Sequence, residues 1–155
     1  EIDGVFHLAG LIKDKMISKM TKQDIEDVIK PKVEGCNILH QVTLQMKLRF
    51  FVTFSSISAL VGNPSQANYA AANCYLDRFC YQRRKLGLPG LSVNVGAVGG
   101  TGMIQNDYIL AKSMMSNGFS FIHYHQLFEN ISKELFNSHR ISKRCHLSLW
   151  VFKGN

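Results

Sequence analysis

Four polar residues in apolar surroundings carry the chemistry open to this sequence. Ser56 closes the run Arg49-Phe-Phe-Val-Thr-Phe-Ser-Ser56, and Tyr69 follows thirteen residues later in the string NYAAAN. Asn73 stands four residues beyond Tyr69, and Lys32 lies upstream in PKVEG. At a spacing of four, Tyr69 and Asn73 share one helix face. A Tyr hydroxyl has an ordinary pKa of about 10, so proton donation near neutrality is helped by a nearby cation, which Lys32 can supply. Ser56 can hydrogen-bond the oxygen of a substrate carbonyl. Such a set can deliver a proton to a carbonyl oxygen while a hydride arrives at its carbon. A lone helix Tyr or strand-end Ser is usually only packed or capping. Four such residues in this order and spacing are far more specific.

The elements that must position them follow from periodicity and breakers. Residues 2–10 form a short apolar run ending in Ala9 and Gly10, which fits a buried parallel strand that stops where a backbone must approach something closely. Thr21-Lys-Gln-Asp24 is a capping-box pattern opening a helix through Ile25, Val28 and Ile29. Pro31 is expected to interrupt that helix, and a second helix is expected over 32–45 with Val33, Cys36, Leu39 and His40 on one face. Residues 50–54 are apolar on both faces, hence a central strand. Gly62-Asn-Pro-Ser65 is loop chemistry, and residues 67–86 have helical spacing through Ala72, Leu76, Phe79 and Arg83 before Gly87 and Pro89 end the helix. Leu91–Val95 reads as the next strand, followed by the glycine-rich loop 96–102. Residues 125–135 form a further amphipathic helix (Leu127, Phe128, Ile131, Leu135), and 145–152 a possible last strand. Strands alternating with helices imply βαβ units and a parallel sheet covered on both faces. In such sheets ligands bind beyond the carboxyl ends of the strands, where Ser56 sits.

Composition sets the bounds. At 155 residues the chain fits one domain. A hydrophobic fraction of 46% with 19% charged residues is globular and excludes a disordered chain. No apolar run approaches the roughly 20 residues needed to span a bilayer. The opening Glu1-Ile-Asp-Gly carries no secretory signal, which favours the cytoplasm, and reads like a piece cut from something longer. Cys36, Cys74, Cys80 and Cys145 lack zinc-site spacing, so no metal is expected and buried thiols in a reducing cytosol are the reading. The net charge of +7 comes from clusters at 13–32, 83–85 and 140–144. No nucleic-acid module or stacking aromatics join them, so a solvated surface is the first reading. Attraction to an acidic carrier or an anionic cofactor is the second.

Segment by segment, the chain resembles the C-terminal, catalytic half of the ketoreductase domain of modular or iterative polyketide synthases, a branch of the short-chain dehydrogenase/reductase family. Five segments match in order: GVFHLAG, the PKVEG helix, FVTFSSISALVG, QANYAAANCYLD and RRKLGLPGLSVNVGAVGGTGM. The resemblance is strongest over residues 3–103. It implies one partial ketoreductase domain over 1–155, with 104–155 as C-terminal helices and a possible last strand. Ordinary short-chain dehydrogenases carry Lys four residues after the catalytic Tyr and Asn on the preceding helix. Synthase ketoreductases exchange the two, and Asn73 with Lys32 is the exchanged form.

The resemblance implies a Rossmann-like three-layer α/β fold with a parallel sheet, incomplete because the first βαβ half is missing. It implies NADPH as cofactor and reduction of a 3-ketoacyl thioester carried by an acyl carrier protein among the remaining domains of a synthase, with no nucleic acid and no membrane involved. Tyr69 would be the proton donor and Ser56 would orient the ketone. Lys32 and Asn73 would organise the Tyr hydroxyl, the ribose and the proton-relay water. Ala9 and Gly10 would pass beneath the cofactor, and Gly96 and Val98 would flank the nicotinamide. Family members with an LDD motif after the HxAG strand, and no Trp eight residues before the Tyr, usually give the D-configured (B-type) alcohol. The matching stretch here is Leu11-Ile12-Lys13-Asp14, with Lys13 in place of the first Asp, and the position eight before Tyr69 is Val61. No glycine-rich phosphate loop precedes Gly4, and Gly96–Gly102 follows the wrong strand for one. A non-catalytic remnant that keeps the signature without a cofactor site is therefore the alternative. An ordinary free-standing dehydrogenase is disfavoured by Asn73 where Lys would be expected.

Overall fold

The computed structural model describes residues 2–99, 119–136, 146–149, 151 and 152. Strand β1 (Gly4–His7) leads through a single 3-10 turn (Ile17–Lys19) to helix α1 (Lys22–Ile29), a π-helical turn (Lys30–Glu34) and helix α2 (Gly35–Thr43). Strand β2 (Phe50–Ser56), the short helix α3 (Ser58–Val61) and helix α4 (Ala67–Lys85) follow. Then come β3 (Leu91–Val95), β4 (Val98–Gly99), β5 (Phe119–Ser120), β6 (Ile122–His123), helix α5 (Tyr124–Phe136), β7 (His146–Leu149) and β8 (Val151–Phe152). The main sheet has the order β1-β2-β3-β7 with every pair parallel. In register, His7 lies beside Thr53 and Ser56 beside Val95.

The alternation of β2 explains the three layers. One face presents Phe51 to Val5, Cys36 and Leu76, with Leu39 and Phe79 packed around them, so α2 and α4 cover it. The other presents Val52 to Val93, Ile122, Leu127 and Ile131, so α5 covers that one. Phe51 is fully buried, and its burial contributes about 1.5–3 kcal/mol. The Arg83 guanidinium stacks 4.0 Å from its ring. On the α4 face of β2 and β3, polar residues replace apolar ones as the strands near their carboxyl ends: Thr53, Ser55, Ser92 and Asn94 are all buried. That is where the candidate site begins. β1 is one of the two outer strands of the described main sheet, and it leaves Phe6 about half exposed.

Several expectations are corrected. Thr21 and Asp24 do form a capping box, but Pro31 does not break the helix after α1. Lacking an N–H and unable to fit an α-helical turn, it widens the chain into the π turn, which runs on into α2. Cys36 and Cys80 are buried, whereas Cys74 is exposed, its Sγ donating to the Ala59 carbonyl of α3 at 3.1 Å; Cys145 lies outside the described residues. Phe128 is exposed, because the buried stripe of α5 runs through Leu127 and Ile131. The basic clusters are not wholly solvated: Lys32 and Arg83 are buried. Lys13 and Lys15 pair with Asp27 and Asp24. Within the expected 96–102 loop, Val98 and Gly99 form strand β4, paired with β6, and residues 100–102 lie outside the described residues. No described helix is long and apolar enough to cross a membrane, and no metal-binding cluster occurs among the described residues.

Candidate active site

The carboxyl ends of β1, β2 and β3 lie side by side because the strands are parallel neighbours. The chain leaves them at Ala9-Gly10, Ser56 and Gly96, with Val98 beginning β4 just beyond. The sequence-derived candidates thus line one rim of the sheet. Ser56 Oγ accepts a hydrogen bond from the Ser58 amide at 3.2 Å, which fixes the hydroxyl at the strand end. Tyr69 lies in the first turn of α4 and Asn73 in the next.

Lys32 reaches the rim from the π turn. It is 3% exposed; its Nζ donates to the Phe54 carbonyl at 2.9 Å and lies 5.4 Å from the centre of the Tyr69 ring. Burial lowers its pKa to about 8, with the charge of Asp77 and then Cys36 opposing that shift. Burial raises the Tyr69 pKa above its ordinary value. Hydrogen bonding by Asn73 and Ser56 opposes the rise, and the Asp14 carboxylate adds to it. Tyr69 therefore holds its proton throughout the neutral range. The approach of Lys32 is to the ring face, and the groups drawing the Tyr69 pKa down are Asn73 and Ser56. This differs from the sequence expectation, in which Lys32 supplied that effect.

Asn73 is fully buried, its Nδ2 donating to the Tyr69 carbonyl at 2.8 Å. Its Oδ1 has no hydrogen-bond partner among the described residues. Gly10 closes the wall on the other side: a Cβ there would stand 3.0 Å from Lys32 Cε. The residue expected beneath a cofactor thus also makes room for the lysine. The set can present one neutral hydroxyl donor, one strand-end hydroxyl and one buried amine to a carbonyl at the rim.

The family model described as the KR domain matches residues 1–100 of this chain. The chain belongs to the ketoreductase (KR) domain family of polyketide synthases. It is 40% identical over 89% of its length to the hybrid PKS-NRPS synthetase pyvA of Aspergillus violaceofuscus, and spans 4% of that protein. It is 36% identical over 94% of its length to the highly reducing polyketide synthase tstA of Talaromyces stipitatus, and spans 6% of it. Among solved structures, A-type ketoreductases from a modular polyketide synthase superpose with a TM-score of 0.87 at 28% identity, over 97% of this chain and 30% of that one. The first ketoreductase of the tylosin synthase gives 0.83 at 31% identity, over 97% of this chain and 32% of that one. The chain therefore spans about a third of the solved ketoreductase chains and a few per cent of the synthases it resembles.

The candidate site has supports that sequence reasoning passed over. Asp14 is an exposed loop residue, but both its carboxylate oxygens accept from Gln66 Nε2 at 3.0 Å, three residues before Tyr69. Val61 is exposed at the end of α3. Asn68 is buried directly before Tyr69. Its Nδ2 donates to the Lys13 and Asp24 carbonyls, both at 3.1 Å, and its Oδ1 accepts from the Tyr69 amide at 2.8 Å. One side chain thus joins the Asp14 loop and α1 to the start of the tyrosine helix. Beneath the rim, Asp77 accepts from Ser92 Oγ and from Asn94 Nδ2, which also donates to Ser55 Oγ. Ser55 Oγ in turn donates to the Asn73 carbonyl. The signal was present: Asn73 and Asp77 are polar at i and i+4 of α4, and Ser92 and Asn94 alternate with apolar residues in β3.

Proposed function

We propose that this chain is the catalytic portion of an NADPH-dependent β-ketoacyl reductase. In this reading it reduces a 3-ketoacyl thioester carried by an acyl carrier protein to the 3-hydroxyacyl thioester, alongside other synthase domains in the cytoplasm. The observation that carries the proposal is the gathering of Ser56, Tyr69, Asn73 and buried Lys32 at the rim, in a chain of the ketoreductase family. The small residues Ala9 and Gly10, exposed at the end of β1 beside Lys32, fit the approach of a flat nicotinamide. Gly96 and Val98 fit its other side. NADPH, when bound, supplies the hydride. Tyr69 gives its hydroxyl proton to the ketone oxygen, which Ser56 orients. Lys32 and Asn73 hold the replacement proton path, with Asn73 Oδ1 as a buried acceptor within it. Steady-state reduction of a model β-ketothioester by a complete ketoreductase domain carrying this chain tests the reading. Absence of NADPH oxidation above the no-enzyme rate would sink it and favour the remnant.

The 155-residue chain alone is expected to bind NADPH weakly or not at all. Among the described residues no glycine-rich turn joins a strand directly to a helix N-terminus, the arrangement that cradles a pyrophosphate. Isothermal titration calorimetry decides this, and micromolar affinity would mean that other residues of the chain build a phosphate site.

The alcohol formed is expected to be D-configured, on the strength of Asp14 and Val61. The A-type designation of similar solved structures describes those proteins. Asp14 is tied through Gln66 to the helix that carries Tyr69, and that tie supports a part for it in how the substrate arm enters. Chiral chromatography of the 3-hydroxyacyl product is the measurement. A predominantly L product would remove Asp14 and Val61 from that role.

A further inference from the structure

His7 ends β1 on the face covered by α2 and is 4% exposed. Its Nε2 lies 2.8 Å from the backbone carbonyl oxygen of Lys32. A carbonyl can only accept, so Nε2 carries the hydrogen and donates it. Burial keeps the imidazole pKa below its ordinary value, against the raising effect of that hydrogen bond, with the Lys32 charge also lowering it. A neutral ring with one fixed tautomer is the result. The neighbouring backbone is shaped to admit it: a Cβ on Gly35 would stand 3.3 Å from His7 Cε1.

The partner is an unusual piece of chain. Lys32 lies inside the π turn, where Pro31 provides no amide and the regular α ladder is lost. A contact from outside the helix can therefore help to set where the residues of this turn lie. His7 supplies one from β1, and Phe54 supplies another from β2 by accepting from Nζ. The lysine is thus held at its backbone and at its tip by two adjacent strands, while Gly10 leaves room for the side chain between them.

We propose that His7 is a positioning residue of the reduction. It clamps the π turn so that the Lys32 amine is delivered to the rim beside Tyr69. The proposal rests on the reductase reading for its catalytic meaning, but the clamp itself can be tested without turnover. The groups facing Lys32 are His7 from β1, Cys36 from α2, and Tyr69 and Asp77 from α4.

The test starts with the 155-residue chain. Nitrogen-15 spectra of the histidine rings should show His7 as the Nε2–H tautomer, and an Nδ1–H tautomer overturns the clamp without any mutation. Carbon-13 lysine spectra then follow the titration of Lys32. In His7→Leu its midpoint should rise toward the ordinary lysine value by on the order of one pH unit, as the amine leaves its buried position. His7→Gln, whose amide can still donate to the carbonyl, should keep the wild-type midpoint. Identical midpoints in wild type and His7→Leu overturn the proposal. Should His7→Leu fail to fold, the wild-type tautomer and His7→Gln still decide it.

In a complete ketoreductase domain carrying this chain, His7→Leu should lower kcat by about 10- to 10²-fold with KM nearly unchanged, and His7→Gln should restore most of the loss. Wild-type kcat in His7→Leu, in a preparation that Tyr69→Phe inactivates, overturns the inference and leaves the reductase reading standing. An inactive wild type defeats the reductase reading, and the Lys32 titration then judges the clamp alone.

Discussion

Tyr69→Phe is expected to lower ketone reduction by on the order of 10²-fold or more in a complete ketoreductase domain carrying this chain. The substitution removes one oxygen and leaves the ring, so the approach of Lys32 to the aromatic face and the packing of the first turn of α4 are retained. What disappears is the donor. Burial raises the Tyr69 pKa, with Asn73 and Ser56 opposing that rise, so in the wild type the hydroxyl is protonated throughout neutral pH and available to the ketone oxygen. Without it, water must supply the proton at a rim where only Ser56 orients the substrate. The check is steady-state oxidation of NADPH with a model β-ketothioester, with matched circular dichroism spectra for the two proteins. Turnover within a few fold of wild type would take Tyr69 out of its assigned role.

The elements around Tyr69 were legible in the sequence for physical reasons that hold one by one. β2 is apolar on both faces because helices cover both, and α4 reads as a helix because Ala72, Leu76 and Arg83 recur at helical spacing on its buried side. The π turn was not legible. A proline after a helical stretch predicts a break, and whether the chain instead widens and continues depends on contacts from β1 that local sequence does not carry. Cys74 and Phe128 were misplaced because a single apolar residue fits either side of a stripe by spacing alone. Within the site, the order and spacing of Ser56, Tyr69, Asn73 and Lys32 were enough to single them out as one candidate set. The supports from Gln66, Asn68, Asp77 and His7 act across 15 to 55 residues of chain, and polar side chains at such distances find partners only through the fold.

Lys32→Met is expected to separate activity from stability at one residue. Lys32 titrates at about 8 in the folded chain against an ordinary 10.5, because burial disfavours its charge. Between those values the unfolded chain holds a proton that the folded chain has released, so this residue makes stability rise with pH across the window. Below about pH 8 the charged amine burdens the fold by a constant amount, of the order of 3 kcal/mol. Methionine has similar length and no charge, and removes that burden. It also leaves the Phe54 carbonyl without the donor that holds it at 2.9 Å, at a cost of about 1–3 kcal/mol. The net stability change at pH 7 is thus small or favourable, while reduction should fall by on the order of 10²-fold because Tyr69 loses its neighbouring amine. Cys36 acts in the opposite sense: burial holds its thiol up at about 12, so its contribution declines from about pH 9 upward. Both proteins carry Cys36, and their difference removes its contribution apart from its coupling to Lys32. Urea unfolding of the 155-residue chain at intervals from pH 7 to 10.5 therefore isolates Lys32. The stability of wild type relative to Lys32→Met should climb steadily above pH 8 and level off near 10.5. A difference constant across that range would mean that Lys32 is not buried as a charged group, and the site would lose a residue whose place in it runs against the interest of the fold.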